Sequence, residues 1–236
     1  MSLARPSPVL PDHIAQTVWR GDALGGQTAP VLSSGHAALD MELPGGGWPC
    51  QSLTEVLQAP GVHAEWRLLT PGLARLVAQG GTVLLVNPPH GPHLPALLRE
   101  GLREDRLVWI ETRTPTESLW ATEQALKARS VSAVLAWLPQ VRSDQLRRLQ
   151  ACAMQHPALA FVFRRLAARN DASAAPLRLE VSVSGHPPKL PPPLRVTILK
   201  RRGPLLDRII EVPHWPNGLA PLVQRRAMPV QACGPW

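Results

Sequence analysis

The sequence of 236 residues has little cysteine and no repeated spacing of metal-ligating residues. Its three cysteines, Cys50, Cys152 and Cys233, are far apart and odd in number, which excludes a disulfide framework or a cysteine-based metal motif. The eight histidines lack the i, i+4 spacing of a helical metal site, and only His90 and His93 are close together, in a proline-rich turn. We therefore predict that the protein holds no metal.

Long apolar runs are also absent. No segment approaches the length of a membrane span, and the first residues lack the apolar centre of a secretion signal, so we expect a cytoplasmic protein. The chain has no tyrosine, two phenylalanines and eight tryptophans. Four tryptophans fall in segments predicted to be core, where packing is their simplest role: Trp66, Trp109, Trp120 and Trp137.

Acidic residues are outnumbered, 17 against 25 lysines and arginines, so that the formal net charge is +8. Such a balance favours an anionic partner, usually nucleic acid, although the codon bias of a GC-rich genome gives the same excess of arginine. Any DNA contact would be electrostatic, because no stacking aromatic side chain lies nearby. The candidate DNA-binding residues form two groups: Arg164, Arg165 and Arg169, then Lys200, Arg201 and Arg202.

The composition divides the chain into an arm (1–31), a core (32–212) and a tail (213–236). Both ends are rich in proline and glycine and lack a periodic pattern. In the core, strand-like apolar runs alternate with amphipathic segments as far as residue 163, which predicts an α/β fold with a mostly parallel sheet covered by helices. Three strand-like segments after residue 176 predict an antiparallel edge.

The helix signals inside the core are local. Spacing of apolar residues predicts helices over 62–79 and about 94–100. Thr114 and Glu117 match a capping box for a helix that runs to about Arg129. Ser143 is predicted to cap the next helix.

The start of the core resembles the opening of the RecA recombinase core. Ser34-Gly35, Leu39-Asp40 and Gly45-Gly46-Gly47 precede the strand-like Leu53–Leu57. In that family a phosphate-binding loop, Gly-x-x-x-x-Gly-Lys-Ser/Thr, comes next. Residues 58–67 here read Gln-Ala-Pro-Gly-Val-His-Ala-Glu-Trp-Arg, without the lysine and the magnesium-binding hydroxyl. Glu65 places a negative charge near the start of the following helix, where a phosphate would lie.

The other groups that the resemblance calls for are missing too. The glutamate expected after the next strand is replaced by residues 87–90, Asn-Pro-Pro-His, and the aspartate expected after a later strand is absent from residues 134–139. The first DNA loop of the family is reduced to residues 139–142, and the second corresponds to the short basic segment 164–171. The resemblance therefore implies a RecA-like core without catalysis and without a cofactor.

A narrower resemblance is to the ImuA family, small RecA-like accessory proteins of SOS mutagenesis. It is carried by residues 18–20 (Val-Trp-Arg), 43–49 (Leu-Pro-Gly-Gly-Gly-Trp-Pro), 53–55 (Leu-Thr-Glu) and 199–203 (Leu-Lys-Arg-Arg-Gly). This resemblance implies an adaptor in translesion DNA synthesis. Its partners would be an ImuB-type Y-family-like protein and an error-prone C-family polymerase, with RecA, self-association or DNA as further partners. Two alternatives stay open: an ATPase with an atypical nucleotide site, and a SulA-like cell-division inhibitor.

The two ends are the predicted docking segments, because a core without ligand chemistry must act through surfaces. Exposed tryptophan is a common interface anchor, and tail residues 213–236 combine apolar and basic side chains suited to folding onto a partner. The candidate partner-binding residues are Val18, Trp19, Trp215, Leu219, Leu222, Val223, Arg225 and Arg226.

Overall fold

The computed structural model describes residues 30–183, 192–204 and 206–213. The strands are β1 (Val31–Leu32), β2 (Trp48–Pro49), β3 (Ser52–Gln58), β4 (Val83–Val86), β5 (Leu107–Ile110), β6 (Ala133–Trp137), β7 (Leu159–Arg165), β8 (Leu177–Val183), β9 (Leu194–Lys200) and β10 (Ile209–Val212). The α-helices are α1 (Ala37–Asp40), α2 (Glu65–Ala78), α3 (Leu94–Arg99), α4 (Pro115–Lys127) and α5 (Ser143–Ala153). Short 3₁₀ turns lie at Pro44–Gly46, Glu104–Arg106 and Leu166–Asn170.

Eight strands form one mixed sheet in the order β10-β9-β8-β3-β7-β6-β4-β5. The six strands from β8 to β5 run parallel to their neighbours. β9 and β10 are added antiparallel at the β8 side. β1 and β2 make a separate two-stranded ribbon. Because β3 lies between β7 and β8, all seven of its residues are buried.

Each face of the sheet has its own apolar core. Leu85 belongs to the cluster that includes α2 and α3, whereas its neighbour Leu84 belongs to the cluster that includes α4 and α5. Successive side chains of a strand point to opposite faces, so these runs of apolar residues cover both sides of the sheet. Trp48 packs edge-on against Phe161 in the first cluster, with ring centres 5.2 Å apart.

The helix ends follow local signals. Thr114 caps α4 by accepting a hydrogen bond from the Glu117 N–H, and the Glu117 carboxylate accepts one from the Arg113 N–H. The predicted cap at Ser143 is wrong: Ser143 is the first residue of α5, and the capping position is Arg142, whose N–H donates to the Gln145 side chain. The reason is that Gln145 is three residues beyond Arg142 and supplies the acceptor itself.

Two of the four tryptophans predicted to pack in the core are exposed instead. Trp120 on α4 is 64% exposed and Trp109 on β5 is 44% exposed. β5 is the last strand of the sheet, so that its side chains have neighbours on one side only. Trp137 is buried as expected and stacks on Phe163 at 4.7 Å.

No helix in the described ranges is long and apolar enough to cross a membrane.

Candidate functional site at the carboxyl edge of the parallel strands

The segment before β3 is a turn that packs against α2. Asp40 accepts hydrogen bonds from the Ser33 hydroxyl (2.6 Å) and the Ser34 N–H (2.8 Å). Gly35 has φ +83°, and a Cβ on it would lie 2.4 Å from the Cβ of Pro71 in α2. The Ser-Gly…Leu-Asp pattern therefore closes this turn and lets its backbone approach the helix, without contributing a ligand-binding group.

The loop between β3 and α2 takes the place of the expected phosphate-binding loop. Glu65 is the first residue of α2 and is only 3% exposed. Burial raises the pKa of its carboxyl, opposed by its own backbone N–H, His63, Gln58 and His90. The carboxylate thus occupies the positive end of the helix, where a phosphate would bind in a phosphate-loop protein.

Two histidines meet beside Glu65. His63 precedes α2 and His90 follows β4, and their Nε2 atoms are 3.2 Å apart. The Nδ1 of His63 lies 3.8 Å from Oε1 of Glu65. His90, three positions before His93 in the sequence, thus contacts a residue 27 positions earlier. Sequence spacing holds no signal for a contact made between two separate loops.

The other two positions at which the RecA resemblance expects an acidic residue carry no carboxylate. Asn87 follows β4 with a left-handed backbone (φ 54°), and its N–H donates to the Ile110 carbonyl. Trp137 ends β6 and is buried against Phe163. Beside them a cavity of about 350 Å³ lies between the ends of β4 and β6 and the starts of α4 and α5, lined in part by Asn87, Arg113 and Arg142. In open α/β sheets, ligands commonly bind in such a crevice.

Residues 164–171, predicted to be a DNA-binding loop, do not form an open loop. Arg164 and Arg165 belong to β7, and 166–170 form a 3₁₀ turn. Arg164 is 7% exposed and donates to the buried Glu55 carboxylate at 2.7 Å, to the Val141 carbonyl and to Asp171. It is a core residue because β7 lies beside β3, which carries Glu55.

Arg178 on β8 reaches the same carboxylate from the other side of β3. Its Nε lies 2.8 Å from Oε2 of Glu55, and its guanidinium also donates to the carbonyls of Ala168 and Arg169. One buried carboxylate thus joins three adjacent strands and anchors the 3₁₀ turn. Sequence reasoning missed this group, although a charged residue inside the apolar run Leu53–Leu57 was a signal for a buried ion pair.

The other predicted DNA-binding residues differ in their exposure and in their hydrogen-bond and ion-pair partners. Arg165 and Arg202 are exposed, and Arg169 pairs with Glu180 at 3.3 Å. Lys200 donates to the Ser173 carbonyl. Arg201 donates to the backbone carbonyl and the carboxylate of Glu42. The six residues therefore do not form one exposed basic surface.

The predicted partner-binding residues lie outside the described residues. This holds for all eight of them: Val18, Trp19, Trp215, Leu219, Leu222, Val223, Arg225 and Arg226.

Comparison with known proteins gives relatives but no family assignment. No protein-family model matches the chain. The chain is 29% identical over 115 residues to the cell division inhibitor SulA of Photorhabdus laumondii, covering 49% of this chain and 65% of that protein. It is 30% identical over 98 residues to SulA of Serratia marcescens (42% and 58%) and 32% identical over 100 residues to SulA of Yersinia pestis (42% and 60%). The chain thus spans 58–65% of the length of these relatives.

These relatives correct the narrower resemblance. The similarity to ImuA is wrong as an identification, because the curated relatives are SulA proteins. The predicted role in SOS mutagenesis and translesion synthesis is wrong for the same reason. The predicted partners are wrong as well: an ImuB-type protein, a C-family polymerase, RecA, a second copy or DNA. The comparisons support the alternative interpretation, a SulA-like cell-division inhibitor, better than the adaptor.

Proposed function

We propose that this protein is a SulA-like inhibitor of bacterial cell division that acts in the cytoplasm by binding a protein of the division machinery. The observation that carries the proposal is the similarity to proteins named cell division inhibitor SulA over 98–115 residues.

The protein acts by binding and not by nucleotide turnover. The proposal includes a RecA-like core. Three features support it: the order of the opening motif, the parallel strands and the antiparallel edge. Glu65 supports the lack of catalysis, because its buried carboxylate lies at the helix end that would have to accept a phosphate. Two like charges at one site repel each other, so a nucleotide would have to displace or protonate this group.

β5, one of the two edge strands of the eight-stranded sheet, offers an exposed edge for a protein partner. β5 pairs with β4 only, and Val108 and Trp109 are each 44% exposed. The register places Val108 on the face of Leu84 and Trp109 on the face of Leu85, so both faces of the strand show apolar surface. Trp120 adds an exposed aromatic side chain on α4. Aromatic side chains of this kind are enriched at interfaces.

The test is expression of the full chain in a rod-shaped bacterium without a DNA-damaging agent. We expect cells to elongate into filaments with several separated nucleoids, because division stops while growth and replication continue. A Trp48→Ala variant is the matched control: it removes a side chain that is 1% exposed and should fail to fold at the same level of synthesis. Normal cell length with folded wild-type protein present would overturn the proposal.

A further inference from the structure

The side chains of His63 and His90 come together between two loops at the end of the sheet. Their Nε2 atoms are 3.2 Å apart, while the ring centres are only 4.5 Å apart, with the ring planes at 74°. In an end-to-end hydrogen bond, the centres would be separated by the N···N distance plus the distance from each nitrogen to its own ring centre. The observed separation is shorter than that sum, so both rings are inclined to the line that joins the two nitrogens.

This arrangement suits a shared metal ion. Zinc binds imidazole nitrogen at about 2.0–2.1 Å, and two nitrogens 3.2 Å apart can both lie at that distance from one ion with an N–Zn–N angle of roughly 100°. That angle is close to tetrahedral. The His63 side chain is 43% exposed and His90 is exposed, so that an ion and its water ligands can reach them.

Glu65 supplies the outer partner that metal-bound histidines usually have. Its Oε1 lies 3.8 Å from the Nδ1 of His63, on the side of the ring away from Nε2. A carboxylate in this position favours a proton on Nδ1 and leaves the lone pair of Nε2 free for a metal. The side chain of Glu65 is 4% exposed, and its second oxygen, Oε2, is buried without a hydrogen-bond partner.

We propose that His63 and His90 form a binding site for a divalent transition-metal ion of the Zn²⁺ type, with Glu65 positioning His63. Within residues 30–183, 192–204 and 206–213, no group of three or more histidine, cysteine, aspartate or glutamate residues is arranged around a metal position. Water therefore completes the coordination. An ion held by two imidazoles exchanges with solvent and binds far more weakly than in a structural four-ligand site.

The test is calorimetric titration of the full, tag-free chain with Zn²⁺ after treatment with EDTA, in a buffer that does not bind zinc. The wild type should bind one ion saturably, and Zn²⁺ should raise its melting temperature. His63→Ala and His90→Ala should each abolish both effects, because neither imidazole alone makes the site. Glu65→Gln should weaken binding about 10- to 100-fold, the usual effect of losing such an outer partner.

His156→Ala is the matched control, since His156 lies in the turn after α5 and should leave the affinity unchanged. Circular dichroism of every variant in EDTA checks that the fold is retained. Zinc binding that survives both His63→Ala and His90→Ala would overturn the proposal. So would binding that needs His93 and not His63, because the ion would then be held by the neighbours in the turn.

Discussion

Arg164 and Arg178 hold the two oxygens of the same buried carboxylate, that of Glu55, at 2.7 and 2.8 Å from opposite sides of β3. We predict that Glu55→Gln lowers the free energy of unfolding by about 3–5 kcal/mol, because it leaves two buried guanidinium groups without their shared countercharge. Urea unfolding measures the change. Glu104→Gln, at an exposed position without an ion pair in the described chain, should stay within about 0.5 kcal/mol of wild type. Equal stability of the two variants would show that the ion pairs contribute nothing net.

Elements with local signals could be predicted from the sequence, unlike the Glu55 ion pairs. Strands and helices with a strong periodic pattern were predicted within a few residues: the strand-like Leu53–Leu57 is β3 (Ser52–Gln58), and the helix predicted over 62–79 is Glu65–Ala78. Their signals are local, namely apolar spacing and Thr114 as a cap. Gly80 and Gly81 follow α2, and both of their N–H groups donate to carbonyls of its last turn.

Contacts between distant segments were not predictable in this way. Glu55 is 109 positions from Arg164, and His63 is 27 positions from His90. The Glu55–Arg164 pair depends on strand order, since β7 comes to lie beside β3 only in the assembled sheet, and the histidine pair joins the loops that follow β3 and β4. Exposure of Trp109 also depends on that order, because β5 is an edge strand only if nothing joins it.

The pH dependence of stability should include a contribution from Glu42. The hydrogen bond from Arg208 and the charge of Arg201 lower the pKa of this carboxyl below its ordinary value. A carboxyl whose pKa is lower in the folded state stabilises the fold above its unfolded pKa, and this stabilisation is lost as the pH falls through the folded pKa. Glu42→Gln should therefore flatten the fall in melting temperature at acid pH, and the effect should be small because its main partner, Arg208, is an exposed side chain.

The control for this experiment is the double variant Glu42→Gln with Arg208→Gln. It should show the same pH profile as Glu42→Gln alone, since the interaction is already removed. If the melting temperature of Glu42→Gln falls at acid pH as steeply as that of the wild type, the ion pairs around Glu42 do not persist in solution.

Two glycines with similar backbone angles should respond differently to alanine. Gly35 (φ +83°) faces the Cβ of Pro71 at 2.4 Å, whereas a Cβ on Gly61 (φ +76°) meets open space. Gly61→Ala should cost about 1–2 kcal/mol of stability, the conformational penalty alone. Gly35→Ala should cost clearly more, because the turn must also move away from α2. Thermal unfolding of both variants decides this, and a larger loss in Gly61→Ala would contradict the close packing of the turn.

The exposed tryptophans allow a test that separates binding from folding. Trp120→Ala removes a side chain that is 64% exposed, so stability should change by no more than about 0.5 kcal/mol. If α4 belongs to the surface that meets the division machinery, the same variant should shorten the filaments produced on expression. Met154→Ala is a matched control, since Met154 is 59% exposed at the end of α5. Equal filament lengths for wild type and Trp120→Ala would exclude this part of α4 from the interface.

The loop at residues 58–67, which lacks the lysine of a phosphate loop, predicts that the chain does not hydrolyse ATP. A phosphate loop works because a lysine and several backbone N–H groups neutralise the phosphates. In this chain Glu65, the first residue of α2, carries a carboxyl whose pKa is raised by burial, so that the site disfavours a second negative group whenever Glu65 is ionised. Phosphate release by the purified chain with Mg²⁺ and ATP should equal that of the Glu65→Gln variant and of buffer. Glu65→Gln removes the repulsion without supplying a lysine, so it should gain no turnover. Release that is present in the wild type and abolished by Gly61→Ala or Glu65→Gln would show that the loop still performs phosphoryl transfer.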